Sequence, residues 1–179
     1  MGEALALASL LIDGGFAETV AAQASSHFCT AERQYRMPVP YGSQRTPTAQ
    51  WTTTAAGCTI LGSDGPGPYV THVTCGRIVD KGITDANNMG AAMAPAAYDT
   101  LSAFFRDTGY KPANFDLILT GDLGELGHAI VRDFFQRDGV DMAPSSRTAA
   151  CCCMTGSTRI CTPEPPAAAA LPPCSTAIS

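Results

Sequence analysis

The 179-residue chain carries 11 Lys and Arg against 16 Asp and Glu, which gives a formal net charge of −5. Its basic residues form no cluster, which argues against a nucleic-acid partner, and no apolar run reaches the roughly 18–20 residues that a membrane-spanning helix needs. With 45% apolar residues, the composition favours a soluble or membrane-peripheral protein with one globular core.

The composition changes abruptly near Ala143. Beyond that residue there is no aromatic residue and no Asp, and the only charged residues are Arg147, Arg159 and Glu164. We predict a disordered Pro- and Ala-rich tail over residues 144–179, because such a composition is typical of chains that bury no core. A zinc site is the alternative, but the adjacent cysteines at 151–153 lack the usual ligand spacing and no His follows them.

The first half of the chain predicts one helix and two or three strands. A helix is predicted over Glu3–Ile12, and its Ala, Leu and Ile residues lie on nearly every side, so we expect it to be buried. The Gly-Gly pair that follows ends it. The short apolar segment Phe16–Ala24 fits a strand or a helix, whereas Gln50–Leu61 and Tyr69–Val79 are predicted strands.

The second half predicts a helix, a strand and a further helix. Pro95 is expected in the first turn of the second helix, which ends near Gly109. Phe115–Thr120 is predicted as a buried strand, and a Gly-containing turn leads from it into a third helix, Leu126–Arg137, closed by Gly139. This order forms the βα unit of α/β folds, in which ligands bind beyond the carboxyl ends of the strands.

Several stretches of the sequence resemble the stage V sporulation protein AD family. They lie at residues 4–18, 25–38, 76–100 and 115–133. The most specific part is the run GITDANNMGAAMAPAA at 82–97, which is too extended for a chance match. The family is similar to thiolases and ketoacyl synthases, so the resemblance implies that residues 1–143 form a partial thiolase-like domain. The complete fold would be α/β, with a duplicated core in five layers, α-β-α-β-α.

The resemblance also implies a function. Members of the family bind dipicolinic acid and support its uptake into the forespore together with other spore membrane channel proteins. We therefore expect a homodimer, when intact, that lies peripheral to the spore inner membrane and uses no cofactor or metal; a cytoplasmic location is the alternative. The alternative function is a thiolase- or ketoacyl-synthase-like acyltransferase with Cys–His chemistry, although this sequence is closer to the sporulation protein.

The same resemblance implies that the sequence is a piece of a longer protein. In the family, the Cys at the thiolase nucleophile position stands a few residues before the Met-Gly-Glu that begins this chain, so Met1 is interpreted as an internal Met and no catalytic residue is assigned. Read in a shifted frame, Thr148–Ser179 gives segments that continue the family pattern in the correct order. We hypothesise that the residues after about Ser146 are an out-of-frame translation, which sequencing of the encoding DNA tests.

Two candidate ligand contacts lie at predicted strand ends. His27 ends a strand near the expected position of the missing Cys, and its imidazole could meet a dipicolinate carboxylate; the alternative is a structural bond to the backbone. Asp122 follows the buried strand beside glycines, where a helix N-terminus can bind an anion. A capping role in the third helix is the other interpretation of Asp122.

Four further candidates lie in one Gly-punctuated loop of the most family-like stretch. They are Asp80, Asp85, Asn88 and Met89. Loops on a rigid scaffold often carry binding residues, but side chains of this type also stabilise turns through local hydrogen bonds.

Cations and cysteines complete the candidate residues. A dianionic ligand could pair with guanidinium groups such as that of Arg77, or these groups could be solvated at the surface. Cys29, Cys58 and Cys75 are predicted to be small, buried apolar residues.

Overall fold

The computed structural model describes residues 1–26, 47–48, 50, 55–142 and 146–148. It confirms a mixed α/β protein. The helices are α1 (Gly2–Asp13), α2 (Met89–Thr108) and α3 (Gly124–Arg137), with a 3-10 turn at Pro112–Asn114. The strands are β1 (Thr19–Ser26), β2 (Ala55–Gly62), β3 (Ile118–Thr120) and β4 (Ser146–Thr148).

The described residues form two compact units. Residues 1–26 and 55–73 make up the first, which we call the hairpin unit because it contains β1 and β2. Residues 47–48, 50, 74–142 and 146–148 belong to the second, which we call the helical unit because it contains α2 and α3.

In the hairpin unit, β1 and β2 pair antiparallel, from Thr19 opposite Gly62 to Ser26 opposite Ala55. Helix α1 packs on this ribbon, and the buried residues are Leu5, Ala8 and Ala22. The segment that fitted a strand or a helix is therefore a strand, and β2 occupies the later part of the strand predicted from Gln50.

The expected burial of α1 on nearly every side is wrong. Of its residues, Leu5 and Ala8 are buried, whereas Leu7, Leu10 and Leu11 are each at least 44% exposed. The physical reason is that a two-stranded ribbon offers the helix one face, and one face covers one stripe of it. The helix ends as predicted at the Gly-Gly pair, where Gly15 has a φ of 71°.

In the helical unit, α2 and α3 pack on each other and against a parallel pair of strands, β3 and β4. One core joins these elements. Its buried members are Ala94, Ile118, Leu123, Val131, Phe135 and Met142. Burial of a large apolar side chain stabilises a fold by roughly 1.5–3 kcal/mol. This core, with the half-buried aromatic rings beside it, therefore accounts for the packing of the two helices.

Helix α2 begins six residues before the expected start at Pro95, which lies inside the helix. The prediction was wrong because Asn88 supplies a stronger start signal: its side-chain oxygen accepts a hydrogen bond from the Ala91 N–H at 3.2 Å. Pro95 has no N–H to donate to the carbonyl of residue 91, so α2 contains one helical bond fewer than its length suggests. The expected end is confirmed at Gly109, with a φ of 73°.

The remaining predicted elements were confirmed in part. Tyr69–Val79 contains no strand, because no strand in the described part of the chain pairs with it. Strand β3 is shorter than the predicted Phe115–Thr120, while α3 ends at Arg137 as predicted and begins two residues early, at Gly124. Of the predicted tail over 144–179, the structure describes the short strand β4, and the rest lies outside the described residues.

Candidate functional site

The candidate site lies at the carboxyl end of β3, in the turn that leads into α3. Strand β3 ends at Thr120, and Leu123 anchors the turn because its side chain is fully buried in the core. Between them, Asp122 accepts a hydrogen bond through Oδ1 from the Gly124 N–H at 3.1 Å. Gly124 has a φ of 63°, a conformation that favours glycine. The carboxylate of Asp122 thus satisfies the backbone donor of the first residue of α3 through a local turn bond. The N-cap residue of this helix is Leu123, which makes no side-chain cap bond, so Asp122 lies one residue before the cap position.

Two glycines bring the first turns of α2 and α3 into direct backbone contact. A Cβ added at Gly90 would overlap the carbonyl oxygen of Leu123, and a Cβ added at Gly127 would lie 2.8 Å from the carbonyl oxygen of Gly90. Both positions are buried and leave no room for a side chain. The N-terminal ends of both helices therefore meet beside the turn that contains Asp122.

Gln50 also reaches this turn and was not among the residues predicted from sequence. Its Nε2 donates a hydrogen bond to the carbonyl oxygen of Asp122 and lies 3.2 Å from the Sδ of Met93. The side chain is buried, and nearby the Leu126 N–H donates to the Pro47 carbonyl at 2.9 Å. The sequence signal for Gln50 was weak, since one amide side chain in a predicted strand is no sign of a long-range bond.

Three predicted site residues come together here. Asn88 and Met89 directly precede Gly90, which contacts Leu123, the residue after Asp122. Residues of the GITDANNMGAAMAPAA run therefore lie directly beside the predicted βα turn.

The remaining predicted site residues are not brought to this place by the described contacts. Asp80 Oδ1 accepts a hydrogen bond from the Gly82 N–H at 2.7 Å, and Asp85 Oδ1 accepts one from the Asn87 N–H at 2.9 Å. Both carboxylates are exposed, and these local bonds agree with the turn-stabilising alternative. His27 lies outside the described residues, so its role stays a prediction.

Charged and phenolic groups of α2 have clear partners. Arg77 forms a bidentate pair with Asp99, with 2.7 Å between Nη2 and Oδ1. The hydrogen bond from Arg77 is the main reason that the pKa of Asp99 lies below its ordinary value. The pKa of Tyr98 is raised, chiefly by the hydrogen bond that its phenol donates to Asp138 and then by burial, while the Ser102 hydroxyl acts in the opposite direction.

The cysteine prediction is wrong where the structure tests it. Cys58 and Cys75 are exposed, because the faces of β2 and of segment 74–77 on which they lie are not covered by the described residues; Cys29 lies outside these residues. Within the described part of the chain, no group of three or more His, Cys, Asp and Glu residues could hold a metal ion.

The fold and the turn beyond β3 define a mixed α/β protein with a βα unit, and comparison with known proteins assigns its family. The family model for stage V sporulation protein AD matches residues 1–158. Stage V sporulation protein AD of Bacillus subtilis (strain 168) is 48% identical over 138 residues, which cover 76% of this chain. The chain therefore belongs to the stage V sporulation protein AD family, as the resemblance indicated, and it spans 40% of the length of that relative.

Proposed function

We propose that this chain is part of a sporulation protein that binds dipicolinate and supports its uptake into the forespore. Family membership supports a sporulation role. The structural observation that carries the binding proposal is the contact between the first turns of α2 and α3 at Gly90 and Gly127, beyond the end of β3. The most family-specific run of the sequence forms one side of this contact.

The chemistry of two converging helix N-termini suits an anion. The first N–H groups of each helix have no partner within the helix, and the aligned peptide dipoles place roughly half a positive charge at each N-terminus. Asn88 and Asp122 each occupy one N–H near these ends, and Pro47 accepts that of Leu126; the dipoles of both helices still favour an anion beside these ends. Gln50 holds the carbonyl of Asp122, which keeps this acceptor turned away from an incoming anion.

The wider context of the function follows from the family resemblance. We propose that the full-length protein has the thiolase-like five-layer fold, forms a homodimer and works beside spore membrane channel proteins, peripheral to the inner membrane of the forespore or spore. Among the helices that the structure describes, none is both long and apolar enough to cross a bilayer.

Isothermal titration calorimetry with dipicolinate tests the proposal. The chain and the full-length Bacillus subtilis relative are titrated side by side, with pyridine-2,6-dicarboxamide as a neutral ligand of the same shape. We expect the full-length relative to bind dipicolinate and not the diamide, because the site recognises carboxylates. Turnover of acyl-coenzyme A without dipicolinate affinity would contradict the proposal and support the acyltransferase alternative.

A further inference from the structure

One buried amide side chain joins the turn after β3 to the start of α2. Gln50 is 8% exposed, and its Nε2 donates hydrogen bonds to the carbonyl oxygen of Asp122 and, at 3.2 Å, to the Sδ of Met93. An amide nitrogen carries two hydrogens, so each acceptor receives one of them. Gln50 therefore bonds to both of the elements that meet at the candidate site.

The segment that contains Gln50 also holds the first turn of α3. The Leu126 N–H donates to the Pro47 carbonyl at 2.9 Å, so the chain on either side of this segment is fixed to the helix. A buried amide is costly unless its hydrogen bonds are made, and both donors of Gln50 have acceptors here. These contacts are more specific than space filling requires, because an apolar side chain of the same size would fill the same volume.

Gln50 fixes the direction of one peptide group in the turn. A trans peptide is planar, so the N–H of Leu123 points away from the carbonyl oxygen of Asp122, which belongs to the same peptide group. By holding that oxygen, Gln50 also sets the direction of the Leu123 N–H. This N–H directly precedes the first residue of α3, at the end where the helix dipole favours an anion.

The next peptide group of the turn is fixed by α2. Its carbonyl oxygen, that of Leu123, lies where a Cβ added at Gly90 would overlap it. Its N–H, that of Gly124, donates to the Asp122 Oδ1 at 3.1 Å. Two consecutive peptide groups at the start of α3 therefore have defined orientations, one through Gln50 and one through Gly90. The contribution of Gln50 is the one that a substitution removes without adding bulk between the helices.

We propose that Gln50 is a positioning residue of the candidate site and strengthens its affinity for a carboxylate ligand. Gln50 acts through the Asp122 carbonyl and makes no ligand contact itself. It orients the turn before a ligand arrives, so less conformational freedom is lost on binding. The inference rests on the proposed function, which supplies dipicolinate as the ligand, and it assigns to this site a residue that neither the sequence pattern nor the family resemblance indicated.

Calorimetry on a matched pair of variants tests the effect on affinity. Gln50→Met removes both donors and keeps a flexible side chain of similar length. Gln136→Met is the control, because it makes the same change at an exposed position of α3. Titration of the full chain with dipicolinate should give an affinity about tenfold weaker in Gln50→Met, as for residues that orient metal ligands. The affinity of Gln136→Met should equal that of the parent.

Two further variants separate positioning from stability. Val131→Ala removes part of a fully buried side chain from the core, so it should lower the free energy of unfolding and leave the dipicolinate affinity within about twofold of the parent. Met93→Leu removes the second acceptor of Gln50 and keeps the bond to Asp122, so its affinity should also stay within about twofold.

Hydrogen exchange tests the positioning role without a ligand. In Gln50→Met, the hydrogen-bonded amides of Gly124 and Leu126 should exchange about tenfold faster, because the turn opens locally, whereas amides in the middle of α3 should change less. Equal acceleration along the whole of α3 would assign Gln50 to the stability of the helical unit and overturn the proposal.

The outcomes separate this inference from the proposed function. Equal dipicolinate affinity of the parent and Gln50→Met would overturn the role of Gln50 and leave the proposed function intact, and so would an equal loss of affinity in Val131→Ala or Met93→Leu. Binding by the full-length relative without binding by the parent chain would also overturn this inference alone. No dipicolinate heat from either protein would contradict the proposed function, and this inference with it.

Discussion

In the hairpin unit a 12-residue helix buries Leu5 and Ala8 and leaves three leucines exposed, whereas in the helical unit two helices and strand β3 share one core. Both regions have strongly apolar sequences, so apolar content does not explain the difference. A core needs facing layers, and the described part of the hairpin unit supplies one narrow face to α1. The candidate site lies on the helical unit, where packing holds side chains in defined positions.

The largest expected effect contrasts a core residue of the helical unit with an exposed leucine of α1. Phe135→Ala in the helical unit should lower the free energy of unfolding by about 3–5 kcal/mol, because it removes a fully buried ring from the core. Leu10→Ala on α1 should cost less than about 0.5 kcal/mol, since its side chain is 50% exposed. Urea denaturation, monitored by far-ultraviolet circular dichroism, measures both free energies of unfolding. Equal losses in the two variants would contradict the proposed difference between the two units.

The next effect tests the contact between the first turns of α2 and α3. Gly90→Ala should destabilise the helical unit by about 3 kcal/mol, because its Cβ would overlap the backbone of Leu123 and force the helices apart. Gly2→Ala is the matched control at the start of α1, where nothing lies near the added Cβ. Native-state hydrogen exchange of α3 amides reports the loss; an unchanged exchange rate in Gly90→Ala would contradict the close approach.

The fold was predictable where local signals and tertiary packing agree. The α2 end at Gly109 and the α3 end at Arg137 follow from residues within one turn of each boundary. The start of α2 was predicted wrongly because Pro95 suggested the first turn of a helix. No local rule decides between this signal and the cap at Asn88. Tyr69–Val79 has strand-like alternation, yet a strand forms only with a partner, which a local pattern cannot supply.

A smaller effect tests that cap. Asn88→Ala should cost about 1 kcal/mol, because it removes the acceptor for the Ala91 N–H at the start of α2. Asn87→Ala is the control, since this neighbour is exposed and precedes the cap. Thermal denaturation of both variants measures the difference, and a larger loss for Asn87→Ala would move the start of α2 away from Asn88.

The smallest expected effect concerns acid. Arg77 holds the pKa of Asp99 below its ordinary value of 3.8. A carboxyl group with a lowered pKa contributes stability that is present above its ordinary value and is lost as pH falls through the lowered one. The free energy of unfolding should therefore fall slightly more between neutral pH and a pH below 3.8 in the parent than in Asp99→Asn. An identical acid dependence of both proteins would show that the exposed pair contributes nothing.

The candidate site was predictable in part. The position of Asp122 between a strand and a helix was predictable because these elements and the Gly-containing turn follow one another locally. Asn88 and Met89 were chosen because they lie in a family-specific run, and the ligand contacts of all three residues stay predictions. Gln50 was missed because its bond spans 72 residues of sequence. The closeness of Gly76 to Thr100 was missed because it arises from tertiary packing, which the spacing of residue types does not indicate.

Residue-resolved hydrogen exchange of the full chain tests most directly the claim that the helical unit, which contains the candidate site, is more stably folded than the hairpin unit. The account predicts that amides in the middle of α2 and α3 exchange at least about tenfold more slowly than those of α1, which corresponds to about 1.4 kcal/mol. Equal exchange in the three helices, or slower exchange in α1, would contradict it.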